Sequence, residues 1–246
     1  MKLQPWKCVL PVLAIALATV WTADAAHHEK HEDAEFVSIF DGKTLEGWHA
    51  VPAECMSDWS VEDGVIVGQG SVDRLAYLVF DDVDLTDFEL EATYRFPDYG
   101  NSGIEIHAVE DKSGKRPFEG YHADIGHLGI GPNVLGAWDF HFAKREEYAC
   151  FRGMSLVIDP DGTTHTTDVK NVVKENDINR NGWNKMRVVA KGHHYQFFIN
   201  GKLASEFTDN AKEGRLDKGA IGLQIHDAGM RVEFKDVRLK NTASKK

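Results

Sequence analysis

The chain has 246 residues and carries 28 basic against 39 acidic side chains, a formal charge of −11. So acidic a surface repels phosphate backbones and anionic lipids, and no basic stripe overrules it, which excludes nucleic acid as a partner. The length suits one large all-β domain or two small ones and is enough to bury a full core without disulfide staples.

Residues 1–26 read as an export signal. Lys2 and Lys7 supply the positive end, residues 9–20 an apolar run broken by Pro11 and Thr19, and Ala23-Asp24-Ala25 a small-x-small cleavage site. Removal of residues 1–25 is expected. The run is too short to span a bilayer comfortably, and no later segment approaches the roughly 18 apolar residues a membrane helix needs. Cys8 precedes the run, where a lipid-attachment cysteine would follow it. The expected product is soluble and exported, to the periplasm or outside the cell. Residues 26–35 set His27, His28 and His31 among acids with nothing apolar to anchor them, and read as a disordered leader. A single folded domain is expected over 36–242. Of the cysteines, Cys55 and Cys150 remain. An oxidising compartment permits a bridge between them, while two buried thiols is the plainer reading.

From Phe36 onward short runs with period-two alternation recur between glycine, asparagine and aspartate turns, and no long segment has the spacing of an amphipathic helix. Residues 88–96 set Phe88, Leu90, Ala92, Tyr94 and Phe96 on one face and Glu89, Glu91, Thr93 and Arg95 on the other, the pattern of a long antiparallel strand with one dry side. Asp159-Pro160-Asp161-Gly162 has part of a calcium loop but none of its later ligands, and reads as a plain turn. Residues 170–184, rich in asparagine, read as a long loop. Residues 186–190 and 195–199 form an expected hairpin. Asn200-Gly201 is the dipeptide best suited to the next tight turn, into 203–207, and residues 220–226 and 231–240 close the chain as two more strands. A dozen or so strands with almost no helix predict a two-sheet antiparallel jelly-roll sandwich. Such sandwiches commonly curve, so that polar residues alternating with core residues line a concave outer face.

Four of these strands carry ionisable or amide pairs at i and i+2: Glu105 and His107 after a glycine-flanked turn, His122 and Asp124, Asp139 and His141, Gln224 and His226. Members of a pair lie about 6 to 7 Å apart along a strand and share a face. Solvated strand faces usually carry lysine, threonine and glutamate. So much imidazole and carboxylate together instead predicts a functional cleft, with groups that titrate or hold a metal near neutral pH. The spacing is not His-x-x-x-His, so it names no metal. Trp48, Tyr121 and Trp138 are candidates for flat apolar surface against a sugar ring, whereas Trp59 and Trp183 read as core. No Gly-x-Ser-x-Gly, P-loop, dinucleotide fingerprint, His-Glu-x-x-His or Cys-x-x-Cys occurs, so serine-esterase, nucleotide-dependent and zinc-protease chemistries lack their usual markers.

An ordered set of blocks carries a resemblance: residues 36–48 (FVSIFDGKTLEGW), 59–66 (WSVEDGVI), 87–90 (DFEL), 101–104 (NSGI), Trp183-Asn184, Asn200-Gly201 and 219–226 (GAIGLQIH). Together they resemble the 3-keto-disaccharide hydrolase family, also described as 3-keto-glucoside lyase/hydratase domains, from about Phe36 to Lys240. The resemblance implies a concanavalin A-like jelly roll, export in bacteria, and action on glycosides already oxidised to a ketone at carbon 3. A base removes the acidified carbon 2 hydrogen, charge builds on the ketone oxygen, the carbon 1 substituent leaves, and water adds to the resulting glucal. This chemistry needs a base, an electrophile for the enolate oxygen and no nucleophile. On that footing His107 or His122 is the expected base, oriented by Glu105 or Asp124, with Gln224 and His226 on the sugar or enolate. A divalent metal held by Glu105 and a histidine is the alternative electrophile. The chain departs from the family pattern at His107, where arginine is common, and at His122 and Asp124, where the pattern is Gly-Tyr-Glu-x-Gln. Two rival readings use the same face: a non-catalytic carbohydrate-binding module, and a two-carboxylate glycoside hydrolase built on Glu105 and Asp124.

Overall fold

Successive side chains of a strand point to opposite faces, so an alternating sequence dries one side of a sheet only. The computed structural model describes residues 35–71, 75–82, 84–143 and 145–243, which leaves the export signal and the histidine leader through residue 34 outside the described residues. In chain order the strands are β1 (Val37–Ser38), β2 (Trp48–Val51), β3 (Trp59–Glu62), β4 (Val65–Gln69), β5 (Ala76–Phe80), β6 (Phe88–Arg95), β7 (Asn101–Glu110), β8 (Phe118–Gly126) and β9 (Trp138–His141). There follow β10 (Ala149–Cys150), β11 (Met154–Ile158), β12 (Thr164–Asp168), β13 (Asn184–Lys191), β14 (His194–Ile199), β15 (Lys202–Asp209), β16 (Ala220–Ile225) and β17 (Arg231–Asn241).

One sheet runs β12-β11-β15-β14-β13-β6-β17-β4-β3, with β1 added against β17; the other runs β10-β9-β8-β7-β16-β5-β2. Every pairing among the described residues is antiparallel except β11 with β15. The expected sandwich is therefore the observed one. The Asn200-Gly201 turn has the expected left-handed torsions, φ 49° and 78°, and joins β14 to β15 as a tight hairpin. Residues 170–183 are mostly loop, tied by Asn184, whose side-chain amide donates to the carbonyls of Asn179 and Gly182. Asp159 to Gly162 is a turn closed by backbone bonds, as expected. At the border of the larger sheet all five residues of β12, Thr-His-Thr-Thr-Asp, are exposed.

The dry faces of the two sheets share one core. Phe88, Leu90 and Tyr94 of β6, Met186 and Val188 of β13 and Tyr195 and Phe197 of β14 pack with Ile104, Tyr121, Trp138, Phe140 and Leu223 of the smaller sheet. Its centre is aromatic: Tyr195 stacks on Phe207 at 4.4 Å, and Tyr121 and Trp138 each meet Phe207 at 5.0 Å. Each ring removed from water here contributes about 1.5–3 kcal/mol.

This packing corrects three expectations. Tyr121 and Trp138 are wholly buried and Trp48 nearly so, all in the core and none on a sugar-facing shelf. The reason is the pleat: Tyr121 precedes His122 and Trp138 precedes Asp139, so each ring must face away from its polar neighbour. The Tyr121 hydroxyl donates to Asp209 at 2.7 Å, and the Trp48 indole donates to the Ile39 carbonyl at 2.8 Å. Trp59 is core as expected, but Trp183 is half-buried between the cations Arg95 and Lys235, 4.5 and 4.3 Å from its ring. Cys150 keeps its thiol, buried near the Glu206 carbonyl at 3.3 Å.

Candidate active site

The register of the smaller sheet lines up its outer-face residues. Glu105 of β7 stands opposite His122 of β8, which stands opposite Asp139 of β9; one step along, Gly120 faces His141, and Gly103 faces Asp124. On the other flank Gly222 of β16 faces Glu105, and Gln224 faces Tyr77 of β5. The register thus brings Glu105, His122, Asp124, Asp139, His141 and Gln224 to one face of the smaller sheet.

Glu105 is its centre, with no exposed surface. Nδ1 of His122 and Nδ1 of His141 stand 2.9 and 3.0 Å from the same oxygen, Oε2, each N–H donating to it. The two imidazoles lie face to face, 4.9 Å between centroids at 30°. Nε2 of His122 is 3.8 Å from Oδ1 of Asp124. Two glycines make room for this layer: a Cβ on Gly120 would fall 2.1 Å from Oε1 of Glu105, and one on Gly103 would fall 2.0 Å from Nε2 of His122. Larger residues at either position would expel the acid or the ring.

Burial would raise the Glu105 carboxyl, but attraction to His141 and hydrogen bonds from both imidazoles outweigh it and hold the group ionised, well below the usual carboxylate range. The two imidazoles then diverge. Full burial pushes His122 down, toward the neutral ring, despite Glu105. His141 keeps 16% of its side chain exposed, and there the pull of Glu105 exceeds the burial penalty and raises it. Asp124 is driven well above its ordinary value by burial, then by the charges of Asp139 and Glu105. Oε1 of Glu105, Oδ2 of Asp124 and Oε1 of Gln224 are buried without a hydrogen-bond partner among the described residues. The layer therefore combines a carboxyl of raised proton affinity, a raised imidazole beside it, and buried acceptors without a partner among the described residues.

Two expected members are elsewhere. His107 leaves the face because β7 bulges between Ile106 and Val109 and its own φ is 47°, which turns the ring into the interior. There both ring nitrogens meet backbone carbonyls, Leu216 at 2.9 Å and Thr86 at 2.8 Å, and the ring packs edge-on to Phe88 and Tyr195. Burial lowers its pKa in spite of those carbonyls. The expectation that His107 is a catalytic base is thereby corrected. His226 lies just past the end of β16 with its ring on Asp227 at 2.6 Å. Sequence reasoning passed over Tyr77, whose hydroxyl accepts from the Gln224 amide at 2.9 Å. Its strand, Ala-Tyr-Leu-Val-Phe, is apolar throughout and does not declare which side faces out. It also passed over Arg116 and Lys115, which both pair with Glu147 and bridge the β7–β8 and β9–β10 loops at the rim.

No protein of curated function matches the chain. Solved structures similar to it include two candidate glycosyl hydrolases from Parabacteroides distasonis. One is 22% identical with a TM-score of 0.53 over 85% of this chain and 94% of that one; the other is 19% identical at 0.56 over 84% and 99%. A Bacillus subtilis protein of unknown function with a galectin-like fold is 12% identical at 0.54, over 85% and 97%. These likenesses agree on a lectin-type sandwich. The blocks quoted above all lie within residues 35–240, which match one family, and the chain belongs to that family, described as the 3-keto-alpha-glucoside-1,2-lyase-like domain.

Proposed function

We propose that the outer face around Glu105 cleaves 3-keto-glycosides by elimination and rehydration, and that the protein does so outside the cytoplasm, where its N-terminal signal would send it. The observation that carries this reading is the convergence of two imidazoles from adjacent strands on one Glu105 oxygen, with an unpartnered Asp124 oxygen beside them. The reaction asks for that combination and for no nucleophile. Asp124 takes the carbon 2 proton through Oδ2, with Nε2 of His122 3.8 Å from its other oxygen. Positive charge at the His122–His141 pair meets the electrons that move onto the ketone oxygen, and the bond from carbon 1 to the leaving oxygen breaks as they return, that oxygen taking the proton Asp124 holds. Water then adds across the carbon 1–carbon 2 double bond, giving net hydrolysis. Gln224, fixed by Tyr77, offers its free carbonyl to a sugar hydroxyl. The two-carboxylate route is less suited, because Oε2 of Glu105 is already engaged by two imidazoles.

The test is release of aglycone from a 3-keto-glucoside and from the parent glucoside, followed with the wild type and with Asp124→Asn, His122→Ala and His141→Ala. Cleavage of the keto sugar alone, reduced about 100-fold or more in each variant, is expected. Cleavage of the parent glucoside, unchanged turnover in all three variants, or binding without turnover would overturn the reading, the last in favour of a carbohydrate-binding module.

A further inference from the structure

The same layer has the makings of an inorganic site. Glu105, His122 and His141 each bring one ligand-type atom, and all three atoms lie within 4.8 Å of one another. Oε2 lies 2.9 and 3.0 Å from the two Nδ1 atoms, so the same three atoms that now share protons can instead share one ion. An independent observation points the same way. Three carboxyls, Glu105, Asp124 and Asp139, surround two imidazoles, and two of their buried oxygens have no partner among the described residues. Oε1 of Glu105 and Oδ2 of Asp124, both buried beside the two imidazoles, thus have hydrogen-bonding capacity that the protein leaves for a ligand.

We propose that Glu105, His122 and His141 bind one divalent first-row metal ion of the zinc–cobalt–manganese class, through Oε2 and the two Nδ1 atoms. Two imidazoles and one carboxylate suit this class; thiolate-seeking ions lack a cysteine here, and calcium or magnesium would want oxygen alone. Three protein ligands leave further coordination positions, and His141, 16% exposed, is the ligand on the solvent side. With Nδ1 given to the ion, Nε2–H of His122 faces Oδ1 of Asp124, the outer carboxylate that commonly orients a ligating histidine. The open positions fit a ketone oxygen and the hydroxyl next to it. That role as electrophile rests on the function proposed above; the existence of the site does not.

The experiment needs no sugar. The full chain is stripped with chelator, given Zn²⁺ or Co²⁺ at equimolar concentration, desalted, and assayed for bound metal and for the visible absorption of protein-bound Co²⁺. Because His27, His28 and His31 could also take up metal, a variant with all three as alanine runs alongside. One tightly held equivalent is expected in the wild type and in the leader variant. His141→Ala, at a partly exposed ring that can be removed without opening the core, is expected to weaken binding about 100-fold or more, and Asp124→Asn about 10- to 100-fold. Thermal melts confirm that each variant is folded. Retention unchanged in folded His141→Ala, loss of the equivalent in the leader variant, or no retained metal in the folded wild type overturns the site. In that last case the imidazole pair remains the electrophile. Metal bound without turnover of keto sugars would retire the substrate reading and leave the site standing.

Discussion

Gly120 shows how tightly single atoms specify the candidate site. Its missing side chain is the space that Oε1 of Glu105 occupies, so Gly120→Ala must push the acid out of line with both imidazoles. Overpacking of this kind costs about 1–3 kcal/mol of stability, whereas a shift of about 1 Å in a reacting group costs about 100-fold in rate. The expected result is a small fall in melting temperature with a large fall in kcat on a 3-keto-glucoside; normal kcat would show that Glu105 need not lie where it does. His107 makes the opposite case. Removing its ring takes a hydrogen bond from the Thr86 carbonyl and leaves the Leu216 carbonyl with the Tyr195 hydroxyl alone, at a cost of about 1–3 kcal/mol. His107→Ala is expected to lower the melting temperature measurably and to keep the activity of the molecules that remain folded. A loss of kcat at unchanged stability would return His107 to the reaction.

Among the strands, the outer face of the larger sheet is a ladder of charge. Lys185 of β13 and Arg238 of β17 pair with Glu91 of β6, while Arg95 of β6 and Arg231 of β17 pair with Glu233 of β17, and Arg231 also reaches Glu62 of β3. Burial would raise Glu91 and Glu233, but hydrogen bonds and charge from these cations outweigh it and lower both below the free value of 4.5. A lowered folded-state pKa means the stabilisation is fully present above pH 4.5 and is lost as pH falls through the folded value. Melting temperature should therefore decline on acidification below about pH 4.5. In Glu91→Gln and Glu233→Gln the decline should be shallower and start from a lower plateau; identical slopes in wild type and variants would remove these pairs as its cause. The cations are about 33–51% exposed, so added salt should weaken the effect.

For the molecule as a whole, what could be read from residues depended on whether local pattern or long-range pairing decided it. Alternation in 88–96, the Asn200-Gly201 turn and the closing strands specify a sandwich, and of the i, i+2 pairs the register brings Glu105, His122, Asp124, Asp139, His141 and Gln224 to one face without His107 or His226. The same alternation, applied strictly, already forbids Tyr121 and Trp138 from that face. Nothing in Ile106-His107-Ala108 announces an extra residue in the strand, so the turning of His107 was not legible; it follows from pairing on both sides of β7, where the register shifts against β8 and β16. Nor can spacing say that two imidazoles will choose the same oxygen, because that depends on which strand lies beside which. The solvated strand β12 sets a different kind of limit. Its threonines, histidine and aspartate are all exposed at the sheet's margin, so another chain trying to extend the ladder would have to dehydrate them with no greasy contact in return. Growth into fibrils from that end is thus discouraged by the border residues themselves, and valines in their place would invite it.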